Sequence, residues 1–148
     1  MVSLFFILDS VSERTRAVTN LDAAYSVYVR RRYADTQGYV SCWTCGKKKF
    51  WEKDGMQAGH FQTRTKYSTR WHVEEIDGKQ ETLNCMPQCA HCNMGNGGRQ
   101  YEFGRNLDRV YGQGTSDRLI QKSNRTIKFT TAELKELTSH FKRLTKEL

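Results

Sequence analysis

Apolar residues recur at helical spacing in three segments of the chain. In the first, about residues 20–35, they repeat at steps of three and four residues, and Asn20 stands where an N-cap is expected. Residues 99–111 show a second such pattern, followed by a glycine suited to a helix C-cap. The third segment opens with Thr130 and Glu133 in the order of a capping box. Its apolar stripe is expected to form core or dimer contacts and consists of Leu134, Leu137, Phe141, Leu144 and Leu148.

Short extended segments separate the first helix from the last. Tyr39 to Ser41 and Met56 to Phe61 read as strands. Residues 70–76 look extended, and Asp77-Gly78 is a tight-turn pattern after them. A short helix is predicted from Ser116 to Gln121. The pattern as a whole predicts an α+β fold.

One domain is the natural count for a chain of 148 residues. We therefore expect residues 1–148 to form a single domain. Its parts are an N-terminal basic helix (about 20–35), a core (about 39–112) and C-terminal helices (about 115–148).

Four of the five cysteines stand in two Cys-x-x-Cys pairs, Cys42/Cys45 and Cys89/Cys92. This spacing lets both sulfurs of each pair approach one tetrahedral Zn²⁺ at about 2.3 Å. The alternatives are buried free thiols or disulfides, although a disulfide across two residues is strained. The insert between the pairs, residues 46–88, is longer than the ~15–20 residues of a simple zinc ribbon. The pattern therefore predicts a structural zinc at the base of a larger element.

The chain is basic, with 24 Lys and Arg against 16 Asp and Glu and a formal net charge of +8. Four thiolates on one Zn²⁺ would lower this to about +6. Such a charge favours a polyanionic partner, most often nucleic acid, over a basic surface that serves only solubility. For the arginines near the end of the first helix, a favourable interaction with the helix C-terminus is an equal alternative. The candidate DNA-binding residues are Arg30, Arg31, Arg32, Lys47, Lys48, Lys49, Arg64, Arg70 and Arg99.

Membrane insertion is not expected. No apolar run reaches the ~18 residues of a membrane span. The run from Leu4 to Leu8 is short, lacks a basic region before it and ends at Asp9, unlike a signal peptide. Zinc thiolates also suit a reducing compartment, so the expected location is cytoplasmic.

Several short segments around the cysteine pairs form an ordered set. They are Ser26-x-Tyr28-x-Arg30, Gly38-Tyr39-x-x-Cys42-x-Thr44-Cys45-Gly46, Gln57-Ala58-Gly59-His60-Phe61, Thr69-Arg70-Trp71, Asn84, Gln88-Cys89-x-x-Cys92-Asn93, Gly97-Gly98, Tyr101, Leu107 and Tyr111-Gly112. This set resembles HNH, or ββα-metal (His-Me finger), nucleases. It resembles more closely the phage NinG (Rap) recombination endonuclease family of lambdoid phages, from about residue 21 to 120.

The resemblance implies a zinc-stabilised ββα-metal (HNH, treble-clef-like) core with flanking N- and C-terminal helices. It implies His60 as the general base and Asn84 as a brace for the loop behind it. It also implies that Asn93 and His60 hold a catalytic Mg²⁺ or Mn²⁺. An imidazole with a pKa of ~6.5 can take a proton from water near neutral pH, and a divalent ion can stabilise the phosphate and the leaving oxygen.

The activity that the resemblance implies is metal-dependent DNA endonuclease activity. The implied substrate is branched DNA, such as Holliday junctions, during phage recombination in the cytoplasm of a host bacterium. A homodimer is an open alternative to a monomer. The alternative enzyme is an HNH nickase or restriction-type nuclease that acts on linear duplex DNA.

One position departs from the pattern of many such nucleases. Gly59 stands where an Asp usually binds the metal, and Gln57 stands where several NinG-like sequences carry an acidic residue. Because Mg²⁺ prefers oxygen ligands, another carboxylate is a candidate replacement. The candidates are Asp54, Glu74, Glu75 and Asp77. If none serves, the alternative function is that of a non-catalytic zinc module that binds nucleic acid.

Overall fold

The computed structural model describes residues 2–52 and 55–148 of the chain, with side chains from Ser12 onward. Its helices are α1 (Val2–Arg32), α2 (Tyr67–Arg70), α3 (Gln100–Tyr111), α4 (Thr115–Ser123) and α5 (Thr131–Lys146). Its strands are β1 (Tyr39–Ser41), β2 (Lys48–Phe50), β3 (Met56–His60), β4 (Glu74–Ile76), β5 (Lys79–Glu81) and β6 (Cys85–Cys89). A π-helical turn, His91–Gly95, follows β6. The predicted α+β class is confirmed.

The chain forms two compact units, and α1 contributes to both. The first unit is Met1–Tyr28 with Lys128–Leu148, and the second is Val29–Ile127. The family resemblance in the sequence spans parts of both units. The single-domain assignment stays a prediction.

Aromatic packing forms the centre of the first unit. Phe141 of α5 packs edge-on against Tyr25 of α1, with ring centroids 4.9 Å apart, and lies 5.5 Å from Tyr28. The predicted capping box at the start of α5 is confirmed, because Thr130 and Glu133 exchange side-chain to backbone hydrogen bonds. Of the predicted apolar stripe, Leu134 and Phe141 are buried, whereas Leu148 at the chain end is exposed.

The first helix is longer than the sequence pattern indicates. The periodic segment lies within α1, which begins at Val2 and ends at Arg32. Asn20 is therefore in the helix interior, and its prediction as an N-cap is wrong. The residues before it lack a regular apolar spacing, so local pattern alone does not extend the helix towards Val2.

Three antiparallel strand pairs lie in the second unit: β1 with β2, β3 with β6, and β4 with β5. The strand at Tyr39–Ser41 and the turn at Asp77-Gly78 are as predicted. Of the predicted extended segment 70–76, only β4 is a strand, because α2 ends at Arg70. A buried cluster packs around β6, α3 and α4 and consists of Phe61, Leu83, Met86, Phe103, Leu107 and Leu119.

The β3–β6 pair is the element that positions the candidate site. Its register places Met56 opposite Cys89 at one end and His60 opposite Cys85 at the other. All five residues of β6 are buried, as expected for a strand enclosed on both sides. A second buried cluster adjoins the Met56 end and consists of Val40, Cys42, Met56, Cys89 and Cys92.

Candidate functional site

The four paired cysteines meet at one point. The Sγ atoms of Cys42, Cys45, Cys89 and Cys92 all lie within 4.8 Å of one another. Cys45 Sγ and Cys89 Sγ are 3.8 Å apart. Four sulfurs held tetrahedrally at ~2.3 Å from one ion would be separated by roughly 3.8 Å. The cysteines are thus placed to hold a metal ion, consistent with structural zinc.

Backbone hydrogen bonds shape the first cysteine pair. Cys42 N donates to Lys47 O at 2.9 Å, and Gly46 N donates to Cys42 O at 2.9 Å, which closes the turn between β1 and β2. Burial raises the pKa of Cys42, but hydrogen bonds from backbone N–H groups, first those of Cys45 and Cys89, outweigh it and lower that pKa to about 6. A thiol held in this way is ready to bind a metal as thiolate.

The second cysteine pair is formed where β6 passes into the π-helical turn. Gly98 N donates to Cys92 O, and Gly98 has a φ of +83°, which favours glycine. Arg99 follows it, with its Nη1 4.0 Å from Cys92 Sγ. This contact, followed by that with Glu102, raises the pKa of Arg99. Arg99, a predicted DNA-binding residue, therefore faces the cysteine cluster.

His60 lies at the end of β3, where its orientation is set by backbone. Its Nε2 is 2.9 Å from Arg70 O. Because a carbonyl oxygen can only accept, Nε2 carries the proton, and the lone pair of the neutral ring is on Nδ1. Nδ1 is 3.8 Å from the buried thiol of Cys85. The structure therefore selects one tautomer of His60.

Asn84 connects the residues just after β3 to the helix α2 that follows. Its Oδ1 accepts from Gln62 N at 2.8 Å, and its Nδ2 donates to Thr69 O at 3.0 Å and to Gln62 O at 3.2 Å. The preceding residue, Leu83, is buried with a φ of +37°, a left-handed conformation that costs about 1–3 kcal/mol in a non-glycine residue. Asn84 thus has the contacts of a brace behind His60.

Asn93 contacts Gln57 directly. Its Nδ2 donates to Gln57 Oε1 at 2.8 Å, and Gln57 Nε2 donates to Met94 Sδ at 3.3 Å. Successive side chains leave a strand on opposite faces, so Gln57 and Gly59 share one face of β3 and His60 lies on the other. We call the first of these the Gln57 face. Joint coordination of an ion by Asn93 and His60 stays a prediction.

Three of the four candidate replacement carboxylates lie on or just after β4. Glu74 is bound by Arg118 through two 2.8 Å hydrogen bonds, which lower the pKa of Glu74. Glu75 and Asp77 are exposed on and after β4. Asp54 is outside the described residues. The ligands available on the Gln57 face of the described chain are amide oxygens, which can bind Mg²⁺ but carry no charge.

His72 is buried beside the Glu74 carboxylate. Its Nδ1 is 3.1 Å from Lys122 Nζ, and its Nε2 is 3.2 Å from Glu74 Oε2. Burial, followed by the charge of Lys122, lowers the pKa of His72 to about 4. His72 is therefore neutral near pH 7. Nothing in the local sequence marks His72 as buried.

Several predicted DNA-binding residues already bind other parts of the chain. Arg30 donates to Trp51 O at 2.8 Å, and the guanidinium groups of Arg30 and Arg31 each lie 5.4 Å from the Trp51 ring. Arg32 donates to Gln80 O at 2.9 Å. The side chain of Lys47 is exposed. DNA binding by these residues stays a prediction.

Near His60, the loop after β3 carries two further basic residues. Arg70 Nη1 donates to Arg64 O at 2.7 Å, and its guanidinium lies over the rings of Tyr67 and Trp71. Lys48, on the β1–β2 hairpin, forms an ion pair with Asp35 at 3.0 Å, and Lys49 is half-buried. Arg70 thus contacts the His60 ring through its backbone oxygen and Arg64 through its guanidinium group.

The fold and the site together define a mixed α+β protein with four cysteines placed to hold a metal ion. The family model described as bacteriophage lambda NinG protein matches residues 8–148, so the chain belongs to that phage family. Comparisons with curated proteins and with solved structures gave no significant match. Within residues 2–52 and 55–148, no helix combines the length and apolar content needed to span a membrane.

Proposed function

We propose that this protein is a metal-dependent DNA endonuclease in which His60 is the general base. The observation that carries the proposal is the hydrogen bond between His60 Nε2 and Arg70 O at 2.9 Å. It holds the proton on Nε2 and so places the acceptor lone pair on Nδ1, 3.8 Å from Cys85 Sγ. Membership of the NinG family and the net charge of +8 support DNA as the substrate.

The reaction is hydrolysis of a phosphodiester. His60 Nδ1 takes a proton from water as the water oxygen forms a bond to phosphorus, and the bond to the 3′ oxygen breaks. The 3′ oxygen then receives a proton from solvent. Asn84 keeps the backbone behind His60 in place through Gln62 and Thr69. A divalent ion, when bound, would supply charge stabilisation at the phosphate and the leaving oxygen.

The residues that fit such an ion are those of the Gln57 face. Asn93 Nδ2 and Gln57 Oε1 are 2.8 Å apart, and the side-chain amide of each residue has an oxygen that can bind a cation. A site of neutral oxygens holds an ion less tightly than one with a carboxylate. We therefore expect a high metal requirement and more cleavage with Mn²⁺ than with Mg²⁺, because Mn²⁺ accepts amide ligands and looser geometry more readily.

The proposal is tested by cleavage of synthetic junction, flap, duplex and single-stranded DNA with Mg²⁺, Mn²⁺ or EDTA. The proposed substrate is branched DNA, so we expect junctions and flaps to be cleaved at a higher rate than linear duplex. His60→Ala should lower the rate at least about 100-fold while junction affinity stays within twofold. The matched control is His140→Ala, a histidine exposed on α5. Equal loss of binding and cleavage in His60→Ala would make His60 a structural residue.

DNA contact by the exposed Lys47 can be tested separately. Lys47→Gln should weaken junction binding and reduce the dependence of log K on log salt by about one unit. Lys79→Gln, also exposed but on β5, is the control. An unchanged salt slope in Lys47→Gln would remove it from the interface.

A second candidate function is DNA binding without cleavage. The observation that favours it is the neutral character of Gln57 and Gly59, where related nucleases carry acid. Tight junction binding without cleavage at any concentration of Mg²⁺ or Mn²⁺ would support this function and exclude the nuclease.

A further inference from the structure

A buried glutamine fills the place where position 59 lacks a side chain. Gln88 of β6 is fully buried and stands opposite Gln57 in the strand pair. A Cβ added to Gly59 would lie 1.8 Å from Gln88 Oε1 and 2.7 Å from its Cδ. The Gln88 amide therefore occupies the space that the first atoms of an Asp side chain at position 59 would need.

Two hydrogen bonds fix the direction of this amide. Gln88 Nε2 donates to Gly98 O at 2.8 Å and to Thr44 Oγ1 at 3.0 Å. A carbonyl oxygen cannot donate, so the amide cannot be turned around without losing the bond to Gly98. Thr44 lies within the first cysteine pair, and Gly98 N is bonded to Cys92 O. The loops of the cysteine cluster thus aim Gln88 Oε1 at Gly59.

That oxygen is a buried acceptor without a hydrogen-bond partner among the described residues. Leaving such an atom unsatisfied costs about 1–3 kcal/mol, and native proteins rarely do so without a reason. A cation next to it would satisfy it. Amide oxygens are suitable ligands for hard divalent cations.

We propose that Gln88 Oε1 is an oxygen ligand for the divalent ion on the Gln57 face, in place of a carboxylate at position 59. The inference rests on the proposed function for the presence of that ion. For the same reason, Gly59→Asp alone should not strengthen the site. The Asp side chain would collide with Gln88, so tighter binding of the ion requires that both position 59 and position 88 change.

The test is direct titration of zinc-loaded protein with Mn²⁺, followed by the electron paramagnetic resonance signal of free Mn²⁺. Gln88→Ala should raise the Kd for Mn²⁺ at least about tenfold. Gln121→Ala, an exposed glutamine on α4, should leave it unchanged. Gly59→Asp should also bind poorly, whereas Gly59→Asp with Gln88→Ala should bind more tightly than wild type. Folded, zinc-loaded Gln88→Ala with the wild-type Kd overturns the proposal.

A second variant covers the case in which Gln88→Ala does not fold. Gln88→Glu replaces the Nε2 donor by an oxygen beside Gly98 O, so without an ion it should be less stable than wild type. Its negative charge next to the ion should strengthen binding, so Mn²⁺ should raise its Tm by more than it raises that of wild type. An equal or smaller rise counts against Gln88 as a ligand.

The two proposals fail in distinguishable ways. Wild type that binds Mn²⁺ through Gln88 but cuts no DNA contradicts the nuclease alone. Wild type that cuts DNA while Gln88→Ala keeps its Mn²⁺ affinity contradicts the ligand alone.

Discussion

The two ends of the β3–β6 pair are held by different kinds of interaction. At the cysteine end, Met56 and Cys89 adjoin the four-sulfur cluster. At the amide end, beside His60 and Cys85, Asn84 makes three hydrogen bonds to backbone groups. The first end is placed to gather its stabilisation at one metal ion. The second distributes it over polar groups that become unsatisfied if one side chain is lost. The His60 ring is therefore oriented by a backbone carbonyl rather than by a contact with the sulfur cluster.

The largest expected effect is at the cysteine end. Cys89→Ser should unfold the second unit, because zinc–thiolate sites contribute about 10–16 kcal/mol, as much as the entire stability of a small domain. Elemental analysis and circular dichroism of wild type, of the variant and of chelator-treated wild type would measure this. Zinc added back should restore only the wild type. A folded variant without zinc would show that the two ends do not differ as described.

At the amide end, Asn84→Ala should lower the free energy of unfolding by roughly 3–5 kcal/mol, since it leaves backbone groups of Gln62 and Thr69 without partners. Urea unfolding of zinc-loaded protein measures the loss. Asn84→Asp keeps the acceptor for Gln62 N but turns a buried carboxylate oxygen towards the carbonyls of Gln62 and Thr69, so it should lose at least as much stability as Asn84→Ala. Zinc content should stay at the wild-type level in both variants. A loss below about 1 kcal/mol would mean that Asn84 is not a brace.

Acidification should lower the free energy of unfolding through His72, which lies between α2 and β4. His72 is neutral when folded near pH 7, with a pKa of about 4 against 6.5 for an ordinary histidine. The unfolded chain therefore binds a proton first as pH falls, so stability is full above pH 6.5 and decreases towards pH 4. Protonation of His72 can lower the free energy of unfolding by at most about 3 kcal/mol.

The measurement that isolates this effect is the difference in stability between wild type and His72→Gln across that range. Protonation of the cysteine thiolates affects both proteins and cancels. A difference that does not change with pH would contradict a depressed pKa at His72.

The smallest effect is expected at Cys85, the cysteine outside the cluster. Cys85→Ala removes one buried sulfur and should lower the free energy of unfolding by about 1 kcal/mol. Its zinc content should equal that of wild type. Loss of zinc from this variant would mean that the cluster uses a different set of cysteines.

The parts of the fold that the sequence predicted correctly are those that depend on local patterns. The capping box at Thr130 and the helix end at Gly112 depend on residues a few positions apart. In contrast, β2 was missed, because Lys48–Phe50 is largely polar and becomes a strand only by pairing with β1. Similarly, the helical residues before Asn20 lack a periodic apolar pattern.

The same division applies to the candidate site. The cysteine cluster follows from spacing, and His60, Asn84 and Asn93 were named through resemblance. The contact of Asn93 with Gln57 and the place of Gln88 depend on the register of β3 against β6. That register joins residues far apart in sequence, so no local spacing reveals which side chains share a face.

The cysteine cluster has a consequence for the fidelity of folding. Cys45 and Cys89, 44 positions apart in the chain, meet at 3.8 Å, and Cys89 stands opposite Met56. Sliding β3 by one residue along β6 would turn His60 towards the face that Gly59 now occupies. With Cys89 anchored among the sulfurs, such slippage would pull the strand away from its fixed end. The cluster therefore favours one register of β3 against β6. That register also decides which face of β3 carries the His60 imidazole.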